Sequence, residues 1–279
     1  AAIGAEDLSA ILAKAVEAKS AAVRSEARSL WAAHDPATAV PALDRTIAEG
    51  ETIEKQAAIA ALAKLGDEQA DAVLARWFDK FVSGQVPAEI GLDLLEAAER
   101  RESLKGRLEA YRSAASGGDP LAEWRVSLAG GDAERGRDIF LNRASVSCLR
   151  CHKVEDDRGG EVGPNLAKIG ADKDRAYLLE SIVKPNAKIA EGFESVVVVT
   201  SEGLVHTGVK RAEDDDSITL ITAEGKGIVV PKDEIEDRAA GQSAMPEDLL
   251  KHLSKRDVRD LVEYLATQKG QGRWNATEE

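Results

Sequence analysis

Apolar residues recur at helical spacing through the first 112 residues. Leu8, Ile11, Leu12 and Val16 fall on one face, and so do Ile53, Ala57, Ala60 and Ala61, with Leu65 next and Gly66 as a stop. Asp67 opens another stretch carrying Val73, Leu74, Trp77, Phe78 and Phe81, and Pro87 opens one carrying Ile90, Leu94 and Leu95. Asp35-Pro36 and Gly50 punctuate the earlier helices. Short turns between Ala-rich helices predict antiparallel pairs. The pattern stops at Ser113-Ala114-Ala115-Ser116-Gly117-Gly118-Asp119-Pro120, and Gly130-Gly131 breaks the chain again. Residues 113–131 therefore read as a linker, with Trp124 inside it.

From Asp132 the pattern changes. The spacing predicts a helix over Ala133 to Asn142, with Gly136 and Phe140 four residues apart, and another over 174–184 that ends at Pro185. Residues 193–238 read as short β-strands, opening with the β-branched run Val196 to Val199. Val196 to Val199, Leu204 to Lys210, Ser217 to Thr222 and Gly227 to Val230 are separated by Gly- and Asp-rich turns, which predicts four or five antiparallel strands curling into a half-barrel. Val258, Leu261, Val262 and Leu265 mark a last helix from Ser254 to Gln268, and the tail 270–279 is polar. The expected fold is mainly α, with a helical array over 1–112 and a second domain over 132–269 that contains a small β segment.

Composition narrows the function. The net charge is −13 over 279 residues, which disfavours nucleic acid and anionic membrane surfaces. The strand segment lacks aromatic residues for base stacking and carries Glu213-Asp214-Asp215-Asp216 and Glu234-Ile235-Glu236-Asp237, which argues against an RNA-binding barrel. No apolar run is long enough to span a bilayer. Ala1-Ala2-Ile3-Gly4 shows neither the charged n-region nor the apolar h-region of a signal peptide.

The chemistry lies in Cys148-Leu149-Arg150-Cys151-His152, a CxxCH that uses both cysteines of the chain. Two thiols one turn apart can each add to a haem vinyl group, and the next residue is a histidine able to bind the iron. A redox dithiol does not need that histidine and usually sits in a thioredoxin-like βαβ unit, which is absent around Cys148. A zinc site needs four ligands, and the chain has no second CxxC or HxxxH. A disulfide across two residues would be strained. The motif therefore predicts covalent haem c, and with it export to the periplasm or beyond the bacterial cytoplasm. The chain is then expected to be a mature product or part of a longer one. His152 is the near iron ligand, with its second nitrogen expected to donate to a carbonyl of the Pro164 loop. Met245, the one methionine, sits in the polar loop Gly241–Glu247 before the last helix and is the expected far ligand, ahead of His206 and His252.

These residues resemble class I cytochrome c. Gly136 and Phe140, Cys148 to His152, Gly163-Pro164-Asn165-Leu166, Met245-Pro246 and the closing helix with Tyr264 carry the likeness, over about 132–192 and 239–269. It implies that the first and last helices cross at Gly136, near Leu261 and Tyr264. It also implies that Phe140, Gly163, Pro164, Leu166 and Tyr177 lie with the cysteines around the haem. The β segment interrupts that pattern. With Tyr177 to Ile182, Pro185-Asn186 and Ile189 to Phe193, it is similar to the haem-binding domain of large exported planctomycete and verrucomicrobial proteins. There the domain commonly follows HEAT-like helices and a sugar-dehydrogenase-like propeller. Lys55 to Asp67 likewise resembles a HEAT-type helix and corner. The resemblance implies a HEAT-like α-solenoid, then an electron-transfer cytochrome whose partner is a fused or separate quinoprotein-type dehydrogenase. The β insert is expected to cover one haem edge, or else to serve as a docking surface. An alternative function is a peroxidase-like enzyme or gas sensor with an open iron position, using His206 or His252 with an arginine.

Overall fold

A computed structural model describes residues 5–115, 117–155 and 158–270. Most of the polar tail and the first four residues lie outside that range. The protein is mainly helical with one five-stranded antiparallel sheet, and it divides into two compact units, Ala1–Val126 and Ser127–Glu279. The division falls inside the segment read as a linker, where a short 3-10 helix, Ala122–Ser127, replaces the expected coil.

In the first unit the described α-helices are α1 (Ala5–Ala15), α2 (Ala21–His34), α3 (Pro36–Glu49), α4 (Thr52–Leu62), α5 (Glu68–Val82), α6 (Gly91–Glu99) and α7 (Lys105–Ala115). Local chemistry sets several boundaries. Pro36 occupies the first turn of α3, where a missing N–H costs nothing, and the Asp67 carboxylate caps α5 by accepting from the backbone N–H groups of Gln69 and Ala70. Helix α4 packs against α2 and α6 as well as against its neighbours α3 and α5. The core runs through Leu43, Ile47, Ile59, Leu62, Leu74, Phe78, Ile90 and Leu94.

The buried stripe of α4 differs from the one its apolar pattern predicts. Ile53 is exposed, while Glu54, Ala58, Ile59, Ala61 and Leu62 are buried. Glu54 occupies the buried stripe because its carboxylate is saturated. Arg24 donates to both of its oxygens at 2.8 Å, Arg28 donates to Oε1, and the Glu51 N–H donates to Oε2 at 3.2 Å. A buried charge is tolerated when it is paired and hydrogen-bonded. Mainly through the hydrogen bond from Arg24, its pKa falls from 4.5 to about 2. A depressed carboxylate pKa stabilises the fold above the unfolded-state value, and that contribution is lost as pH falls from about 4.5 towards 2. Glu54→Gln is therefore expected to lower the stability of the first unit by about 2 kcal/mol at pH 7, since Arg24 and Arg28 keep access to water. The loss should shrink on acid titration. An equal loss at pH 7 and at low pH would show that packing, not charge, is responsible.

The second unit is organised by α11 (Lys255–Thr267), which packs against α8 (Ala133–Asn142), α9 (Ile169–Asp172) and α10 (Arg175–Val183). Ser254 and Asp257 form a reciprocal capping box at the start of α11, and Asp132 caps α8. Helices α8 and α11 cross at Gly136. A Cβ there would lie 1.9 Å from the Asp260 carbonyl oxygen and 2.8 Å from the Tyr264 Cβ, so the crossing distance requires glycine. One turn on, the Phe140 and Tyr264 rings meet at 5.7 Å between centroids. The Asp260 carboxylate accepts from the Asp132 N–H at 2.8 Å and from Arg135 at 3.1 Å, tying the start of α8 to the middle of α11.

The strands are β1 (Ser195–Thr200), β2 (Val205–Glu213), β3 (Ser217–Ile221), β4 (Gly227–Pro231) and β5 (Ile235–Ala240), in the order β4-β3-β2-β1-β5. The first four form the expected meander. The fifth passes through a 3-10 turn, Lys232–Glu234, and returns to pair with β1 (Val197 opposite Ala239) instead of extending beyond β4. Val196, Val198, Ile218, Leu220 and Val230 fill the inside of the curl.

Candidate cofactor site

Cys148 opens a 3-10 turn, Cys148–Arg150, that Cys151 ends, and the chain enters it through Ser147 in the left-handed region (φ 47°). The His152 N–H donates back to the Cys148 carbonyl at 3.0 Å, so both cysteines and the histidine lie within one compact bend. The loop 159–166 wraps around that bend through its backbone. Gly160 N–H donates to Leu149, Gly163 N–H to Cys151 and Leu166 N–H to Lys153, at 2.7 to 2.8 Å. Gly163 lies flat against the imidazole, where a Cβ would come within 2.5 Å of His152 Cε1.

His152 Nδ1 meets the Pro164 carbonyl at 2.9 Å. A carbonyl only accepts, so the proton is on Nδ1 and the lone pair on Nε2. Burial lowers the His152 pKa against the smaller opposing effect of that carbonyl, so the ring is neutral at pH 7 and competent as a ligand. Burial pushes the Cys148 thiol up to about 11. Cys148 and Cys151 form no disulfide.

One cleft of about 250 Å3 gathers the site. Phe140, Cys148, Cys151, His152, Gly163, Pro164, Leu166, Tyr177 and Met245 all line it, bringing together residues from α8, the CxxCH turn, the Pro164 loop, α10 and the loop after β5. His206 lies on β2 opposite Val198 and His252 is exposed at the end of the 3-10 turn Glu247–His252; neither lines the cleft. The charged residues that do are basic: Arg150, Lys173 and Lys188. Lys173 rests over the Tyr177 ring at 4.8 Å, and Lys188 pairs with Glu180 at 2.7 Å. Among the described residues no three His, Cys, Asp or Glu side chains are grouped for a bare metal ion.

Several further residues line the cleft that the sequence pattern does not assign to it. Leu178 and Ile182 come from α10, Ile189 and Phe193 from the segment before β1, and Leu249 and Leu253 from the segment before α11. Their i, i+4 spacing was visible, but which face they turned was not. The β sheet is anchored beside the cleft. The Arg211 guanidinium on β2 donates to the Glu161 carbonyl and lies 5.6 Å from the ring of Phe193, a lining residue.

Behind the CxxCH bend, Glu155 accepts from Arg137 through both carboxylate oxygens and from the Tyr264 hydroxyl at 2.8 Å. This joins the histidine loop to the α8–α11 crossing, which no local sequence signal announced. No protein-family model matches the chain, and comparison with curated proteins finds no relative.

Proposed function

We propose that the second unit is a c-type cytochrome module that carries electrons between protein partners and is not itself an enzyme. One haem c is held through thioether bonds to Cys148 and Cys151, with His152 and Met245 as the iron ligands. The observation that carries this reading is the convergence of a CxxCH bend, a neutral imidazole with Nδ1 engaged, and the one methionine on a single, largely apolar cleft.

The residues fit the group. Imidazole nitrogen and thioether sulfur suit a haem iron that shuttles electrons, and two unpaired thiols suit its vinyl groups. The basic lining residues Arg150, Lys173 and Lys188 suit a macrocycle carrying two carboxylates. Haem, when bound, supplies one-electron chemistry, and a thioether ligand raises its potential relative to a second histidine. The chain's part is to hold and to exclude. Pro164 fixes the imidazole tautomer, and Gly163 lets the Pro164 loop lie flat on that ring. Phe140, Leu166 and Tyr177 line the cleft and would pack around the group and exclude water from it.

The Gly136 crossing and the Phe140–Tyr264 contact support a class I cytochrome c fold, and the Arg211 contacts with Glu161 and Phe193 support the sheet as an insert covering one haem edge. The stacking of α2, α4 and α6 supports a HEAT-like solenoid in the first unit. The reading extends to an exported, periplasmic setting and to a fused or separate quinoprotein-type sugar dehydrogenase as electron donor. A peroxidase-like enzyme or sensor would call on His206 or His252 as acid–base groups, and these stand away from the cleft lining.

Expression alongside a c-type haem maturation system tests the proposal. The protein should retain haem through SDS denaturation, and the pair Cys148→Ser, Cys151→Ser should lose it. Matured protein without denaturation-resistant haem would overturn the reading.

A further inference from the structure

The Met245 loop has no regular structure to hold it, and methionine has three rotatable side-chain bonds, so its presentation depends on how the backbone is fixed. Two devices fix it. The first is the sheet. Because β5 pairs with β1, the chain leaves the insert beside the point where it began, and the Gly241 N–H donates to the Ser195 carbonyl at 2.8 Å as the last rung. The second is Asn186, just after Pro185 and 59 positions before the methionine in the chain. Its Oδ1 accepts from the Ser243 N–H at 2.7 Å, and its Nδ2 donates to Glu247 Oε1 at 2.5 Å. Ser243 passes the restraint on, its Oγ accepting from the Met245 N–H at 3.2 Å.

The amide orientation is unambiguous, because a backbone N–H can only donate and a carboxylate can only accept. One side chain thus grips residues two before and two after Met245. We infer that Asn186 is the positioning residue for Met245, clasping its loop so that the thioether is held towards the cleft. This rests on Met245 being the far ligand. The contact demands one acceptor and one donor on the same short side chain. Aspartate keeps the acceptor for Ser243 but sets a carboxylate against Glu247, and alanine supplies neither.

The experiment uses the haem-loaded full chain, and covalent attachment keeps the haem on every variant. Two quantities are read: the sulfur-to-iron charge-transfer band of the oxidised protein, and the affinity for added imidazole, which must displace the methionine. Asn186→Asp is expected to weaken the band and to tighten imidazole binding at least about tenfold, since a hydrogen bond to a charged group is replaced by repulsion. Glu247→Gln alone should stay near wild type, because its amide can still accept from Asn186. The pair Asn186→Asp, Glu247→Gln reverses donor and acceptor across the same contact and should restore both readouts. A generally damaged fold would show no such rescue.

If Asn186→Asp keeps wild-type imidazole affinity, or if the pair is as loose as the single variant, the clasp is overturned while methionine ligation stands. A wild type without the band overturns methionine ligation, and the clasp's role with it.

Discussion

With haem held as proposed, Met245→Ala is expected to leave it covalently attached and to open the far side of the iron. The oxidised variant should lose the sulfur-to-iron band and become high spin. The reduced variant should bind carbon monoxide, which the wild type should resist, and the midpoint potential should fall. The reasoning is chemical. Met245 is the one thioether in the chain, it lines the same cleft as His152, and its backbone is held on both sides. The competing histidines, His206 and His252, do not line that cleft, so they stand poorly placed to fill the vacancy. Met245→His should restore a low-spin iron at a lower potential than wild type, because imidazole favours the oxidised state more than a thioether does. An alanine variant with an unchanged spectrum would remove Met245 from the iron and return the open-iron reading to consideration.

Gly136→Ala should damage the second unit more than a single methyl group ordinarily does. The added Cβ would fall 1.9 Å from a backbone oxygen of α11, and neither helix is free to move away. Asp260 holds the start of α8 through Asp132 and Arg135, while Glu155 binds both Arg137 of α8 and Tyr264 of α11. Overpacking a well-filled contact costs about 1–3 kcal/mol and more when backbone must shift, so a loss of about 3 kcal/mol is expected. For a unit of this size that lowers Tm by roughly 6–12 °C. Gly106→Ala is the matched control. It lies in α7 with no atom near its Cβ position, and should be neutral or stabilising by up to about 1 kcal/mol. Equal melting of wild type and Gly136→Ala would mean that the two helices cross with more room than the structure gives them.

Much of the second unit was legible because its signals are local. Asp132 and Ser254 are short polar caps immediately before apolar periodicity, so α8 and α11 begin where the pattern says. The CxxCH bend and its Pro164 carbonyl could be anticipated, since both lie within a short stretch of chain. Failures arose where a partner distant in sequence decides the outcome. Apolar Ile53 pointed to one face of α4, yet Arg24 and Arg28 make it favourable to bury Glu54 on another. The strand β5 is exposed along most of its length, and its pairing with β1 instead of β4 follows from the curl of the sheet, which brings the first strand within reach.

The sequence by itself determined the helical first unit, the strand segment within the second, and the grouping of Cys148, Cys151 and His152, because periodicity, capping and motif spacing act over a few residues. Only the tertiary structure decided which faces are buried, that all nine candidate residues share one cleft, and that Asn186 grips the Met245 loop from 59 positions away. Those outcomes depend on hydrogen bonds and close approaches between segments far apart in the chain, and such pairings leave no periodic trace in either segment alone.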